Sequence, residues 1–135
     1  MKRTEEREQA FCLVFQAIFN SDNEDNLAVY EENVKEVGEY ARNLVQGVAS
    51  RQDELDGIIN KYSKGWKVKR LPKVNLAILR LAVYEILFVE DVPDSVAINE
   101  AVELAKKYSG ETDYSYINGV LGAFAKNLVV NGEQD

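Results

Sequence analysis

Apolar residues recur at intervals of three and four along almost the whole chain, which is the spacing of α-helices with one buried face. The only two prolines, Pro72 and Pro93, both lie between such stretches, where a helix can end or begin. No stretch alternates between apolar and polar residues for long enough to predict a sheet. The sequence therefore predicts an all-α fold of about six to seven helices with short loops.

Capping and turn residues predict where these helices begin and end. Thr4 is the predicted N-cap of the first helix, and Asp94 or Ser95 is predicted to cap the helix after Pro93. Val92-Pro93-Asp94 is predicted to form a tight connection between two packed helices. The predicted helices cover about residues 4–19, 27–49, 51–62, 72–90, 95–108 and 113–131.

The residue types available exclude most kinds of catalytic site. The 135 residues include no histidine and only one cysteine, so imidazole bases, histidine-based metal sites and the usual structural zinc sites are excluded. No glycine-rich loop of a common phosphate-binding pattern occurs. Carboxylate pairs such as Glu100 and Glu103 lie at helical spacing, which is typical of a solvated face. We therefore expect no enzyme, no catalytic residue, no cofactor and no metal.

Cysteine usage and the first residues predict the compartment. Cys12 lies in an apolar run and has no second cysteine to pair with, which is typical of a protein in a reducing cytosol. The N-terminal residues become charged where a signal peptide would become apolar, and no apolar run approaches the ~20 residues that span a membrane. We therefore expect a cytoplasmic protein without membrane contact.

Charge is distributed unevenly along the chain. The net charge is −7, which argues against a general nucleic-acid coat protein. Between residues 61 and 80 there is no acidic residue, and the basic residues there are Lys61, Lys64, Lys67, Lys69, Arg70, Lys73 and Arg80. Such a zone can meet phosphate or an acidic partner, or it can be a solvated face, and charge alone does not favour either interpretation.

Several segments resemble motifs of a known family. Residues 74–85, VNLAILRLAVYE, resemble the V-D-R-A-I-L-R-L-A-x-Y-E block of the NusB family. Residues 91–106, with DVP followed by VAINEAVELAK, look like the most recognisable motif of that family. Residues 116–121, YINGVL, are similar to its F-V-N-G-V-L, and residues 7–10 with 15–16 resemble its R-E-x-A and L-Y-Q segments. The order and gaps match over most of the chain.

The resemblance implies a bacterial transcription antitermination and termination factor. The family fold consists of two small packed helical subdomains, which would cover about residues 1–65 and 66–131 here. Family members bind the boxA element of nascent ribosomal-RNA transcripts together with a ribosomal small-subunit protein, called NusE in this role. The implied partners are therefore boxA-like single-stranded RNA, NusE and the RNA polymerase antitermination complex. The oligomeric state, monomer or homodimer, stays open.

Residues at two ends of the chain match the family's RNA surface by position. The implied RNA-binding residues are Lys2, Arg3, Arg7, Phe15 and Tyr116. Aromatic stacking and cations on phosphate are how proteins hold single-stranded RNA. Helical spacing alone favours core positions for the two aromatic residues, so both roles stay open for them. Glu5 and Glu6 lie between the two arginines, where the family is usually richer in arginine, and they lower the local positive potential.

The resemblance also implies a surface for the NusE partner at the start of the helix after Pro72. We expect it around Asn75, Leu76 and Leu79. Asn75 and Leu76 stand where the family usually has an aspartate and an arginine.

Asn99 and Asn118 are amides within otherwise apolar helical faces. We predict that both are buried and hydrogen-bonded to neighbouring protein groups rather than to a ligand.

Two other functions are compatible with the sequence. One is a helical protein-interaction or dimerisation module in which RNA binding is reduced. The other is the N-terminal RNA-binding module of a larger RNA methyltransferase. That function is disfavoured because the sequence, which ends at Asp135, contains no catalytic domain.

Overall fold

The computed structural model describes residues 2–19, 36–110 and 112–128. These residues form six α-helices, one 3₁₀ turn at Val68–Arg70, and no strand. The α-helices are α1 (Arg3–Phe19), α2 (Glu39–Ser50), α3 (Gln52–Tyr62), α4 (Lys73–Phe88), α5 (Asp94–Tyr108) and α6 (Asp113–Leu128). The predicted all-α class is confirmed.

Helix α4 lies at the centre of the fold. It packs against each of the other five helices, and every residue from 75 to 83 is buried. A helix that is apolar on all sides can be stable only when it is covered on all sides. Because α4 contacts the helices of both predicted subdomains, it fixes the position of every other helix described. The division into two subdomains stays a prediction.

Side chains of α1 complete the start of α2. Gly38 precedes α2 and has no capping side chain of its own. Glu6 Oε1 accepts a hydrogen bond from the Ala41 N–H at 3.1 Å, and Gln9 Oε1 accepts one from the Gly38 N–H at 3.1 Å. A Cβ at position 38 would overlap the Glu6 carboxylate. Glycine at position 38 therefore leaves room for the Glu6 side chain, which a larger residue would displace from the start of α2.

The turn before α5 agrees with the prediction. Helix α4 ends at Phe88, Pro93 precedes the first residue of α5, and Val92 is buried beneath the turn. The buried face of α5 consists of Ala97, Ala101 and Ala105. Alanines at intervals of four let neighbouring helices approach closely, which matches the extensive packing of α5 against α4 and α6.

Some sequence predictions about local structure are wrong. Thr4 is not an N-cap, because α1 already begins at Arg3. Val96 of α5 is 40% exposed, since α5 buries its alanines instead. Asn99 and Asn118 were expected to be buried, and both are exposed. The predicted helical residues 27–35 and the predicted helix end at 131 lie outside the described residues.

No helix in the described ranges is both long enough and apolar enough to cross a membrane.

Candidate functional site

Arg7 is a buried member of a polar cluster that joins four helices. Only 4% of its surface is exposed, and its Nε lies 2.8 Å and 3.0 Å from the two carboxylate oxygens of Glu85. Its Nη1 lies 3.7 Å from Oε1 of Glu100, and Tyr40 donates its hydroxyl to Glu85. A buried charge is tolerated when it is paired in this way. The guanidinium of Arg7 therefore faces carboxylates in the core, and its implied role in RNA binding stays a prediction.

Tyr40 holds this cluster from the side of α2. Burial and the Glu85 carboxylate raise the pKa of the Tyr40 hydroxyl well above its usual range. The hydroxyl therefore stays protonated and remains a donor to Glu85. The guanidinium carbons of Arg3 and Arg7 lie 4.2 Å and 5.8 Å from the centre of the Tyr40 ring. The two predicted arginines are thus brought together on one aromatic ring.

Arg3 is the accessible arginine of this pair. Its Nη1 and Nη2 lie 3.3 Å and 3.2 Å from the carboxylate oxygens of Asp91. Hydrogen bonding to Asp91 raises the pKa of Arg3 further, so the guanidinium stays charged. Both side chains are exposed, 45% and 68% respectively. An exposed pair of this kind is weak, so a phosphate can compete with Asp91 for Arg3. Lys2 is exposed beside it.

Phe15 belongs to an aromatic row along α1. Its ring lies 6.1 Å from that of Phe11 in a stacked arrangement and 5.1 Å from that of Phe19 edge to face. Phe11 is buried and contacts Tyr108, whereas Phe19 is 62% exposed. Phe15 is partly buried between them. Phe15 therefore packs against the core, while Phe19, at one end of the aromatic row, is exposed to solvent.

Tyr116 lies at the start of α6. Its hydroxyl forms a hydrogen bond with Ser63 Oγ, and Ser63 Oγ also donates to the Trp66 carbonyl at 2.5 Å. Tyr116 therefore contacts the basic segment between α3 and α4. We call residues 61–73 the Trp66 loop.

The cations of the Trp66 loop differ from those near the N-terminus. Six basic side chains of the loop are exposed: Lys61, Lys64, Lys67, Lys69, Arg70 and Lys73. Within the described part of the chain, no carboxylate forms an ion pair with any of them. Arg80 is different, because it is buried and its Nε and Nη2 lie 2.7 Å and 2.8 Å from the Asp56 carboxylate. Arg80 therefore supports the packing of α4 on α3 and is not part of the exposed basic surface.

The residues predicted to face NusE are all buried. Asn75, Leu76 and Leu79 have 3%, 3% and 0% of their surfaces exposed. The amide oxygen of Asn75 lies 2.7 Å from Ser109 Oγ, which also contacts Asp113. These interactions tie α4 to the connection between α5 and α6. The other helices enclose these three side chains, and the NusE surface implied around them stays a prediction.

Asn99 and Asn118 lie on the surface between α5 and α6. They line a shallow depression that also includes Ile98, Val102 and Tyr114. Its mixture of amides and apolar groups is compatible with either a protein or a nucleic-acid contact. Among the described residues, no group of three or more acidic or cysteine side chains is arranged to hold a metal.

Sequence reasoning missed the partners that decide which arginines are available. Glu85 carried a signal, since it is the first acidic residue after Asp56 and lies in a strongly apolar helix. A carboxylate at such a position requires a cation, although the sequence does not say which one. Trp66 carried a second signal, because tryptophan is enriched at binding surfaces and this one lies in a basic segment of the sequence.

Comparison with known proteins agrees with the arrangement of helices and motifs. The family model described as "NusB family" matches residues 4–126. The chain belongs to the NusB family. The resemblance inferred from the motifs is thereby confirmed.

Relatives in the NusB family match over nearly the full length. A protein of Acetivibrio thermocellus named Transcription antitermination protein NusB is 48% identical, covering 98% of this chain and 94% of that protein. A protein of the same name from Clostridium botulinum is 43% identical, covering 90% of this chain and 98% of that protein.

Solved structures of the NusB family have the same fold. NusB of T. maritima superimposes with a TM-score of 0.84 at 35% identity, covering 93% of this chain and 92% of that one. A structure of antitermination factors NusB and NusE in complex with dsRNA superimposes with a TM-score of 0.81 at 30% identity. It covers 94% of this chain and 99% of that one.

Proposed function

We propose that this chain is a transcription antitermination factor that binds boxA-like RNA of nascent ribosomal-RNA transcripts together with NusE. The observation that carries the proposal is the 48% identity to a named antitermination protein over almost the whole chain. The similarity to a NusB that was solved with NusE and dsRNA supports both partners. In this role the protein acts by binding within the RNA polymerase antitermination complex, in the cytoplasm, and catalyses no reaction.

The RNA surface proposed from the family resemblance combines exposed and supporting residues. Lys2 and Arg3 are exposed and supply positive charge for phosphate. Phe15 and Tyr116 are partly buried, and their exposed parts supply the surface on which a base would stack. Arg7 acts from the core, because its bonds to Glu85 fix the first turns of α1 that carry Arg3. Its role is therefore positioning.

The proposed NusE surface also needs a supporting layer. The buried side chains on α4 pack against the other helices and fix its position; these are Asn75, Leu76 and Leu79. They therefore affect NusE binding indirectly, through the position of α4. Lys73 is exposed and Val74 is partly exposed on the same helix end, and these side chains are available to a partner.

The experiment that tests this function measures the affinity of the purified chain for a fluorescein-labelled boxA-like single-stranded RNA. Anisotropy titrations are run with and without the NusE protein of the same organism, and with a scrambled RNA as a control. We expect weak binding by the chain alone, because Glu5, Glu6 and Asp91 oppose Arg3, and tighter binding with NusE. Equal affinity for both RNAs, with no effect of NusE, would contradict the proposal.

One observation favours the alternative of a protein-interaction or dimerisation module. Both arginines of the N-terminal segment are paired with carboxylates, so little unopposed positive charge remains there. If this alternative holds, the chain binds no boxA-like RNA even with NusE, and light scattering gives the mass of a dimer or of a NusE complex.

A further inference from the structure

We propose that the Trp66 loop is a second contact for single-stranded RNA, in which Trp66 stacks on a base and the surrounding lysines hold the phosphates. This inference rests on the proposed RNA-binding function and deepens it. It assigns a site that is separate from Lys2 and Arg3. The argument depends on charge, on exposure and on the bonds that hold the loop in place.

Within residues 2–19, 36–110 and 112–128, no carboxylate pairs with the exposed cations of the Trp66 loop. The chain as a whole carries −7, yet no acidic residue occurs between Asp56 and Glu85. The six exposed cations have no carboxylate partner in the described ranges, whereas Arg3, Arg7, Arg51 and Arg80 all have one. Exposed cations that are not neutralised by the protein are available to phosphate, and releasing counterions from the RNA favours the contact.

The indole of Trp66 is exposed among these cations. Trp66 is 52% exposed, although large aromatic side chains normally bury most of their surface. A base can stack on any aromatic ring, and a cationic groove lined by aromatic residues is how proteins bind single strands. Bases in a duplex are already stacked on each other, so the indole favours an unpaired strand. An acidic protein partner could bind to the lysines alone, and such binding would not require an exposed aromatic ring.

The backbone beneath Trp66 is fixed in advance. Gly65 has φ of +86°, a left-handed conformation that glycine adopts without strain. Ser63 Oγ donates to the Trp66 carbonyl, and Asn60 Oδ1 accepts from the Val68 N–H at 2.8 Å. A loop that is already ordered loses less conformational entropy when it binds, so its contacts contribute more to affinity.

The Trp66 loop is connected to a residue that was implied in RNA binding for other reasons. Ser63 Oγ forms its second hydrogen bond with the hydroxyl of Tyr116 at the start of α6. The hydroxyl of Tyr116 and the backbone carbonyl of Trp66 are thus both hydrogen-bonded to one serine side chain. An RNA strand that reaches Tyr116 is therefore close to the unpaired lysines of the loop.

The chain provides a direct reporter for this contact, because Trp66 is its only tryptophan. The fluorescence of Trp66 is measured while a boxA-like single-stranded RNA is added to the complex of the chain with NusE. Any tryptophan of NusE is replaced by phenylalanine. We expect quenching that saturates together with the anisotropy of a labelled copy of the RNA. The same RNA annealed to its complement should quench much less. Saturable binding without quenching would overturn the stacking assignment.

Substitutions then separate stacking from charge. Trp66→Ala should lower RNA affinity by about 5- to 150-fold, the usual range for one base stacked on an aromatic ring, and Trp66→Phe should restore part of it. Lys64→Ala and Lys67→Ala should each reduce the slope of log affinity against log salt by about 0.7. Lys106→Ala is the matched control on α5, since Lys106 already pairs with Glu103 and should change the slope less. Circular dichroism verifies that each variant is folded.

The outcomes distinguish this inference from the proposed function. If wild type with NusE binds RNA and all loop variants bind equally well, the loop inference is wrong while the function stands. If wild type with NusE binds no RNA, both are wrong. If the loop variants lose NusE in a pull-down but keep the RNA affinity of the chain alone, the loop is a protein-docking surface and the RNA assignment is overturned.

Discussion

The Arg7 guanidinium and the Glu85 carboxylate form a buried ion pair between α1 and α4, with Nε–O distances of 2.8 Å and 3.0 Å across 78 positions of sequence. Tyr40 donates to the same carboxylate, and Glu100 lies 3.7 Å from the guanidinium. Arg7, one of the cations implied in RNA binding, therefore holds helices together. Its removal should affect folding before it affects binding.

Arg7→Ala should destabilise the fold strongly. It leaves the Glu85 charge buried without its cation, which typically costs about 3–5 kcal/mol. Urea unfolding followed by circular dichroism measures this free energy. Arg51→Ala is the control, because Arg51 pairs with Glu54 on the surface and such pairs contribute about 0–1 kcal/mol. The double substitution Arg7→Met with Glu85→Leu should cost less than either single change. Equal stability of Arg7→Ala and Arg51→Ala would show that the pair contributes little.

Gly38→Ala should also destabilise the chain, although alanine favours helices in general. The new Cβ would displace the Glu6 carboxylate, which accepts the Ala41 N–H at the start of α2, and losing such a cap costs about 1 kcal/mol. Gly57→Ala is the matched control, because nothing lies within 4 Å of a Cβ added there, on the exposed side of α3. It should stabilise by about 0.5–1 kcal/mol. Changes of the same sign in both variants would contradict this account of Gly38.

The stability of the fold should depend on the protonation of Glu8. Hydrogen bonds from Lys107 and Tyr108 lower the pKa of Glu8 below its ordinary value of 4.5. In acid the unfolded chain therefore binds this proton before the folded chain does, so the contribution is present above pH 4.5 and is lost as pH falls through the folded pKa. Glu8→Gln should lower the free energy of unfolding at neutral pH and have a smaller effect at acid pH, because the contribution of Glu8 is lost as pH falls through its folded pKa.

Urea unfolding at both pH values tests the Glu8 prediction. Glu54→Gln on α3 is the control for losing one negative charge at an exposed position. If Glu8→Gln were equally destabilising at both pH values, the effect would come from side-chain shape rather than from ionisation.

Much of the fold could be predicted because the positions of most helices depend on residues that are close together in the sequence. Helical spacing predicts α1 and α4 to α6 within a few residues, and Pro93 marks the turn before α5. The orientation of α5 could not be predicted in the same way. The buried face of α5 consists of Ala97, Ala101 and Ala105 rather than of its larger apolar residues, because small side chains allow the close packing found there. This rotation also explains why Asn99 is exposed.

The sequence predicts which residue types form the candidate site, but it does not predict which of their side chains are exposed. The motifs that contain Arg7 and Tyr116 identify the family, and Arg3 follows from its position in the chain. Whether these side chains are available to RNA depends on partners far away in sequence. Arg7 is neutralised by Glu85, Arg3 is held by Asp91, and Tyr116 is bonded to Ser63. These pairings arise from packing, and a single sequence does not specify them.

The pairing of Arg3 with Asp91 leads to the last prediction, a gain of RNA affinity. Asp91→Asn removes one negative charge beside Lys2 and Arg3 and weakens the hold on the Arg3 guanidinium, whose stacking on Tyr40 stays intact. One more phosphate contact should steepen the slope of log affinity against log salt by about 0.7 for single-stranded RNA. Asp53→Asn, at an exposed position in the first turn of α3, is the control for the change in net charge. Salt titrations of boxA-like RNA binding with NusE compare the two variants with wild type. If Asp91→Asn and Asp53→Asn change affinity and slope equally, the effect is general electrostatics and Arg3 does not contact phosphate. If only Asp91→Asn steepens the slope, and adding Arg3→Ala abolishes that gain, Arg3 is the phosphate contact that Asp91 restrains.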